Sequence, residues 1–230
     1  MNMILRSMSN KNIFPDPIQD LFKALHDALF FEESMLIGSW VMPLYKEAFD
    51  IPYTLRTLDI DFAVKLVASD TGHETDLEKI MTGLGYIPVI LQSGICKYTR
   101  ENFSIEFVVH RKGGSDDDVV AIRKWNINAV PLPFIDILFD FPFTADFGDF
   151  RLRAPIPEAY FVQKMITAQR RPNESKRDKD LEQCSVIARR IDADRLTEVV
   201  GTLKLGAKSK KALFESCKAI DFPPQKLGLR

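Results

Sequence analysis

The sequence predicts an α+β (mixed α/β) fold, a small mixed β-sheet with flanking helices followed by a mainly helical C-terminal region. Three observations predict it. Short runs rich in β-branched and aromatic residues recur between positions 34 and 153. An early stretch carries apolar residues at helical spacing, and from Pro155 onward helix-start signals and charged helical runs replace the strand patterns. The expected division is a core over residues 1–153 and a helical region over 154–230.

Apolar residues make up 46% of the 230 positions and charged residues 27%, an ordinary globular profile with enough chain for a proper core. A net charge of −1 provides no whole-molecule field toward nucleic acid or membrane, so contact with a polyanion has to be local. Cys96, Cys184 and Cys217 are far apart and form no paired framework, which fits free thiols in a reducing compartment. The most apolar segment, 129–143, is broken by Pro131, Pro133, Asp136, Asp140 and Pro142 and cannot span a bilayer. With no secretory signal in sight, the expectation is a soluble, cytoplasmic protein with no membrane partner.

Residues 1–14 are mixed and uncapped, and read as a poorly ordered start. Asp16-Pro17 opens the first helix, with Ile18, Leu21, Phe22, Leu25, Leu29 and Phe30 on one stripe and His26 beside it as a packing or partly exposed residue. An apolar strand, Ser34-Met35-Leu36-Ile37, runs into Gly38-Ser39 and then a short helix up to Phe49. Such a turn exposes backbone N–H groups and a hydroxyl, a cradle for phosphate; a glycine needed only for its φ angle is the bland alternative. Residues 75–84 are helical, with Gly85 as the stop. Strand-like runs follow at 86–91 and 95–99, and then Phe103-Ser104-Ile105-Glu106-Phe107-Val108-Val109-His110. Residues 111–118 form a loop by composition, and 119–139 has no clear type. A hairpin over 143–153 turns at Gly148-Asp149. Pro157 starts a helix ending near Arg170-Arg171-Pro172, and Lys176-Arg177-Asp178-Lys179-Asp180-Leu181 starts another. Over 164–190, eight Lys/Arg stand against four Asp/Glu, a local balance of +4. Asp192 and Asp194 begin a last helical part, and Pro223-Pro224 reads as a frayed tail.

The unusual stretch is Arg56-Thr57-Leu58-Asp59-Ile60-Asp61-Phe62-Ala63-Val64. It reads as a buried strand, yet it carries two carboxylates. Strand alternation puts Asp59 and Asp61 on one face, ~7 Å apart, with Ile60 and Phe62 on the other. Two such carboxylates repel unless a cation sits between them, an arrangement suited to Mg²⁺. A solvated sheet edge is the competing reading. Glu106 is a third carboxylate in an otherwise apolar strand and again asks for a partner. Together with the Gly-Ser turn and the basic helices, this set suits in-line phosphoryl or nucleotidyl transfer with two metal ions.

Gly38-Ser39, Asp59-Ile60-Asp61 and Glu106 resemble the signature of the polymerase β-like nucleotidyltransferase superfamily. Arg56-Thr57-x-Asp59-Ile60-Asp61, Pro157…Lys164, Arg171 and Lys179-Asp180-Leu181 more closely resemble the bacterial nucleotidyltransferases related to abortive-infection toxins. Gly38 and Asp59 are 21 positions apart, a longer connection than usual, which leaves the placement of the turn over the metals open. The resemblance implies Asp59, Asp61 and Glu106 as catalytic carboxylates and ligands of Mg²⁺ (or Mn²⁺). It implies Gly38, Ser39, Arg56, Thr57, Lys164, Lys179 and Asp180 as nucleotide-binding residues, with an NTP as substrate. The acceptor hydroxyl is open among RNA, protein and small molecule. A catalytically silent nucleotide- or RNA-binding member, or a toxin–antitoxin-type component, is the alternative. A metal-dependent nuclease or phosphatase is less well served, because only His110 lies near the proposed face. A nicotinamide or zinc enzyme finds neither G-x-G-x-x-G nor H-E-x-x-H here.

Overall fold

The computed structural model describes residues 4–55, 57–66, 75–92, 94–111 and 119–229. Strand β1 (Ile4–Ser7) is followed by helix α1 (Asp16–Asp27), which has Pro17 in its first turn and buries Ile18, Leu21, Phe22 and Leu25. The apolar stripe continues past the helix end: Leu29 turns at φ 60 and is exposed, while Phe30 enters a 3-10 turn and is buried. Strand β2 (Ser34–Ile37), with all four residues buried, leads through a 3-10 turn (Gly38–Val41) into α2 (Met42–Phe49). The carboxylate strand is β3 (Asp59–Val64). Helix α3 (Leu77–Gly83) begins where the Lys79 N–H donates to the Asp76 side chain. Strands β4 (Ile87–Ile90), β5 (Cys96–Arg100) and β6 (Phe103–His110) come next. The stretch without a clear sequence type resolves into β7 (Val120–Ile122), a 3-10 turn, β8 (Ile127–Leu132) and α4 (Asp136–Asp140). The expected hairpin is β9 (Pro142–Asp146) and β10 (Arg151–Pro155). Most of the expected 111–118 loop lies outside the described residues.

The main sheet runs β2-β3-β6-β5-β4, with β3 and β6 parallel and the other pairs on this path antiparallel. On the edge of β6 away from β3, β5 pairs with its first half and β8, in parallel, with its last residues. One face buries Ile60, Phe62, Ile105 and Phe107; Phe62 and Phe107 stack at 5.8 Å and Phe30 meets Phe62 edge-on. Each fully buried aromatic ring there contributes ~1.5–3 kcal/mol. The other face carries Asp59, Asp61 and Glu106. Further along it Met35, Ile37, Ala63, Val108, Ile135 and Leu138 make a smaller second core.

Helices α5 (Pro157–Ala168), α6 (Glu174–Ala188), α7 (Ala193–Thr202) and α8 (Ala207–Ala219) follow the last strand. Eleven of the twelve α5 residues are buried, so this helix is a central element with the others packed around it. The largest buried cluster takes in Phe107 from the sheet and Phe161, Leu196 and Leu213 from the helices. Asn173 and Asp192 cap α6 and α7 with their side chains.

Both chain ends correct the sequence expectation. Ile4–Ser7 pairs in parallel with β9, and Met8 and Phe14 are buried. Pro224–Leu227 makes another 3-10 turn, and Phe222, Leu227 and Leu229 around it are buried. Each end is held by distant partners, which local composition does not show.

Candidate active site

A cleft opens where the polar face of the sheet meets α5 and the start of α6. It is lined by Gly38, Ser39, Thr57, Asp59, Asp61 and Glu106 on the sheet side and by Lys164, Arg171, Lys176, Lys179 and Asp180 on the helical side. The sequence-derived residues in described parts of the chain therefore meet in one place. Arg56, also expected here, lies outside the described residues. A wall of Val108, Val130, Leu132, Ile135 and Leu138 completes the cleft.

Register builds the floor. β3 and β6 are paired so that Asp61 lies beside Glu106 and Asp59 beside Ser104. The Asp59 N–H donates to Thr57 Oγ1 at 3.3 Å, which shapes the chain as it enters the strand. Burial pushes the Asp61 carboxyl up to about 6; the charges of Glu106 and Asp59 add to this, while Lys164 and Arg171 oppose it. Gly38 answers the question left by the long connection. Its φ is +66, and a Cβ on it would fall 2.1 Å from Asp61 Oδ2. The turn thus lies directly against the carboxylate, and only glycine satisfies both the backbone angle and the approach.

Ser39 is buried, and its Oγ accepts from Gln183 Nε2 at 2.8 Å, while Gln183 Oε1 accepts from the Tyr160 hydroxyl at 2.7 Å. Ser39 thereby ties the turn to α5 and α6 and keeps its own hydroxyl proton to donate. On the helical wall, Asp180 is 4% exposed and takes Lys164 Nζ at 2.5 Å and Arg171 Nε at 3.0 Å. Burial alone would raise the Asp180 carboxyl, but the two cations outweigh it and hold it below the ordinary value. Burial and the neighbouring Lys164 charge push the Lys179 ammonium down, against the pull of Asp180, Asp59 and Asp61. Lys164, buried on the central helix α5, is tolerable there only because it is paired with Asp180.

The donor set fits a divalent cation in part. Asp59 and Asp61 share a face and present two carboxylates, as Mg²⁺ or Mn²⁺ accepts. Among the described residues, however, no group of three or more His, Cys, Asp or Glu side chains is arranged to hold a metal ion. Glu106, the third expected ligand, instead contacts the Lys97 ammonium. Burial would lower the Lys97 pKa, but Glu106, aided by Asp59 and Asp61, raises it overall. Sequence reasoning missed Lys97. Its signal was the pair Glu101-Asn102, a two-residue turn that sets Arg100 opposite Phe103 and so fixes what faces Glu106. Gln183 and Tyr160 were also missed, and nothing in their local sequence sets them apart from packing residues.

The cleft thus combines an anionic floor, a cationic wall and a glycine turn between them. The nucleotidyltransferase family model matches residues 17–203, and the chain belongs to that family. The crystal structure of an antigenic nucleotidyltransferase-like protein from Paracoccidioides brasiliensis is similar over 94% of each chain, at 12% identity and a TM-score of 0.48. No curated protein matches the chain. Among the described residues no helix is long and apolar enough to cross a membrane.

Proposed function

We propose that this chain is a divalent-metal-dependent nucleotidyltransferase that moves an NMP from an NTP to a hydroxyl on RNA, a protein or a small molecule. The observation that supports it best is the meeting, in one cleft, of the Gly38 turn, Asp59, Asp61, Lys164, Lys179 and Asp180. Asp59 and Asp61 would hold Mg²⁺ or Mn²⁺, which when bound neutralises triphosphate charge and favours ionisation of the attacking hydroxyl. The rest of the work falls to the chain itself. The backbone at Gly38 approaches the phosphates, Ser39 has a proton to donate, and Lys164 and Lys179 offset charge developing on the leaving pyrophosphate. Asp180 fixes Lys164 against Arg171 and so orients it. The aliphatic wall from Val108 to Leu138 offers an apolar surface to a nucleobase or acceptor.

Charge distribution supports anionic substrates on the helical side. Positions 164–230 carry 16 Lys/Arg against 9 Asp/Glu, a balance of +7, whereas positions 1–163 carry 15 against 23, a balance of −8. Within the family, Asp59-Ile60-Asp61 and Lys179-Asp180-Leu181 resemble the abortive-infection-toxin type, whereas the adjacency of Arg56 and Thr57 departs from its usual arginine-to-threonine gap. One observation favours a catalytically silent nucleotide-binding member instead, namely the engagement of Glu106 by Lys97.

The test is label transfer from each α-labelled NTP, with Mg²⁺ or Mn²⁺, to RNA and to protein from a cell extract, beside an Asp59→Asn control. Label that depends on Asp59 and on one nucleotide is the expected result. Absence of transfer with every nucleotide would leave only the silent reading.

A further inference from the structure

We infer that Lys97 is a built-in cation that stands where a second metal ion would otherwise bind, so that the carboxylate face takes one divalent ion, on Asp59 and Asp61, and not two. This rests on the metal-dependent reading given above and narrows it.

The placement comes from the sheet and not from a chance side-chain rotamer. Asp61 is paired with Glu106 across the parallel β3–β6 register. Across the other edge of β6, Tyr98 faces Ile105 and Thr99 faces Ser104; continuing that register by one residue sets Lys97 opposite Glu106. Directly opposed residues share a face and have Cβ atoms ~4.5–5.5 Å apart. Asp61, Glu106 and Lys97 therefore form one rank across three neighbouring strands, carboxylate, carboxylate and ammonium. Cys96 and Tyr98, on either side of Lys97 in sequence, are buried on the opposite face, which leaves Lys97 no other direction.

The rank explains why Glu106 is not part of a ligand cluster. A carboxylate beside Asp61 in a half-buried cleft needs a counter-charge. Lys97 supplies it in direct contact with Glu106, and its charge also acts on Asp59 and Asp61. A second divalent ion shared between Asp61 and Glu106 would have to sit within a few ångströms of that ammonium and compete with it for the same oxygens. On the Asp59 side, among the described residues no ammonium is in ion-pair contact with Asp59 or Asp61 as Lys97 is with Glu106, and the charges of Lys164, Arg171 and Lys179 act there only from a distance. Lys97 is thus a positioning residue: it fixes the charge and the orientation of Glu106 without consuming a metal.

Mn²⁺ alone is the probe, its bound stoichiometry read by electron paramagnetic resonance of the free ion and its effect on thermal unfolding read in parallel. Wild type should bind one Mn²⁺ per chain. Lys97→Gln should bind two, and its thermal midpoint, lowered in metal-free buffer, should rise further on Mn²⁺ addition than that of wild type. Lys97→Arg, which keeps the charge, should bind one. Two ions on wild type would overturn the inference while leaving the metal-dependent reading intact. One ion on a folded Lys97→Gln would also overturn it. Wild type and Lys97→Gln both without bound Mn²⁺ would overturn the metal-dependent reading itself and the inference with it. If Lys97→Gln does not fold, wild type and Lys97→Arg decide: one ion on each supports the inference and two on either overturns it.

Discussion

Asp61→Asn should make the metal-free protein more stable, and by an amount that depends on pH. The substitution keeps the shape of the side chain and removes a charge that the fold holds at a cost. Burial, with Glu106 and Asp59 adding to it, raises the carboxyl from 3.8 in the unfolded chain to about 6 in the folded one. Between those values the native state binds a proton that the unfolded state has lost. Stability from this group is therefore present below the unfolded value and is lost as pH rises through the window from 3.8 to about 6. The full gap corresponds to ~3 kcal/mol, reached above about pH 7, and at about pH 4.5 only ~1 kcal/mol has been lost. Asp61 keeps some solvent contact on the cleft side, so screening makes ~3 kcal/mol an upper bound. For a chain of this length it corresponds to a gain of ~6–12 °C in thermal midpoint. Guanidinium unfolding of both proteins, metal-free, at about pH 4.5 and about pH 7.5 gives the two differences. A variant no more stable than wild type at the higher pH would refute the argument, as would a gain that is the same at both. Mn²⁺ should then narrow the gap, because it stabilises only the protein that still has the ligand.

Three further outcomes follow from the same geometry. Asp180→Asn leaves Lys164 and Arg171 facing a neutral amide and should cost ~3 kcal/mol, the low end for a broken buried pair because Arg171 is partly exposed. Since Lys164 and Arg171 hold the Asp180 carboxyl below its ordinary value against burial, its contribution is present at neutral pH and lost on acidification; the variant should lack that slope in denaturant titrations. Gly38→Ala combines a φ of +66 with a 2.1 Å approach to Asp61, and should lower stability by ~1–3 kcal/mol in thermal unfolding and displace the Asp61 carboxylate. An unchanged midpoint would mean the turn is free to move. Asp59→Asn, at an exposed position, should leave stability within ~0.5 kcal/mol while removing Mn²⁺-dependent label transfer.

What the sequence made legible was whatever alternation and helical spacing encode. The pleat alone put Asp59 and Asp61 on one face with Ile60 and Phe62 behind them, and Pro155-Ile156-Pro157-Glu158 announced the helix that carries Lys164. What stayed hidden depends on pairing between distant segments. Strand β1 exists because β9 accepts it, and no pattern within Ile4–Ser7 says so. The position of the glycine turn over Asp61 depends on β2 lying antiparallel to β3, which puts Ile37 beside Asp61 whatever the length of the connection between them. Counting residues from Gly38 to Asp59 therefore measured the wrong quantity, because a sheet register cancels loop length. Lys97 carries the same argument one step further. In its own strand it is an ordinary solvent-side lysine between two buried residues, and Glu106 is an isolated acid in an apolar run. Only the hairpin that opposes them turns two unremarkable residues into a neutralised pair beside Asp61. Charge balance at this site is thus a property of the register, and a one-residue slip of β5 would turn Lys97 to the other face and leave Glu106 and Asp61 to repel each other.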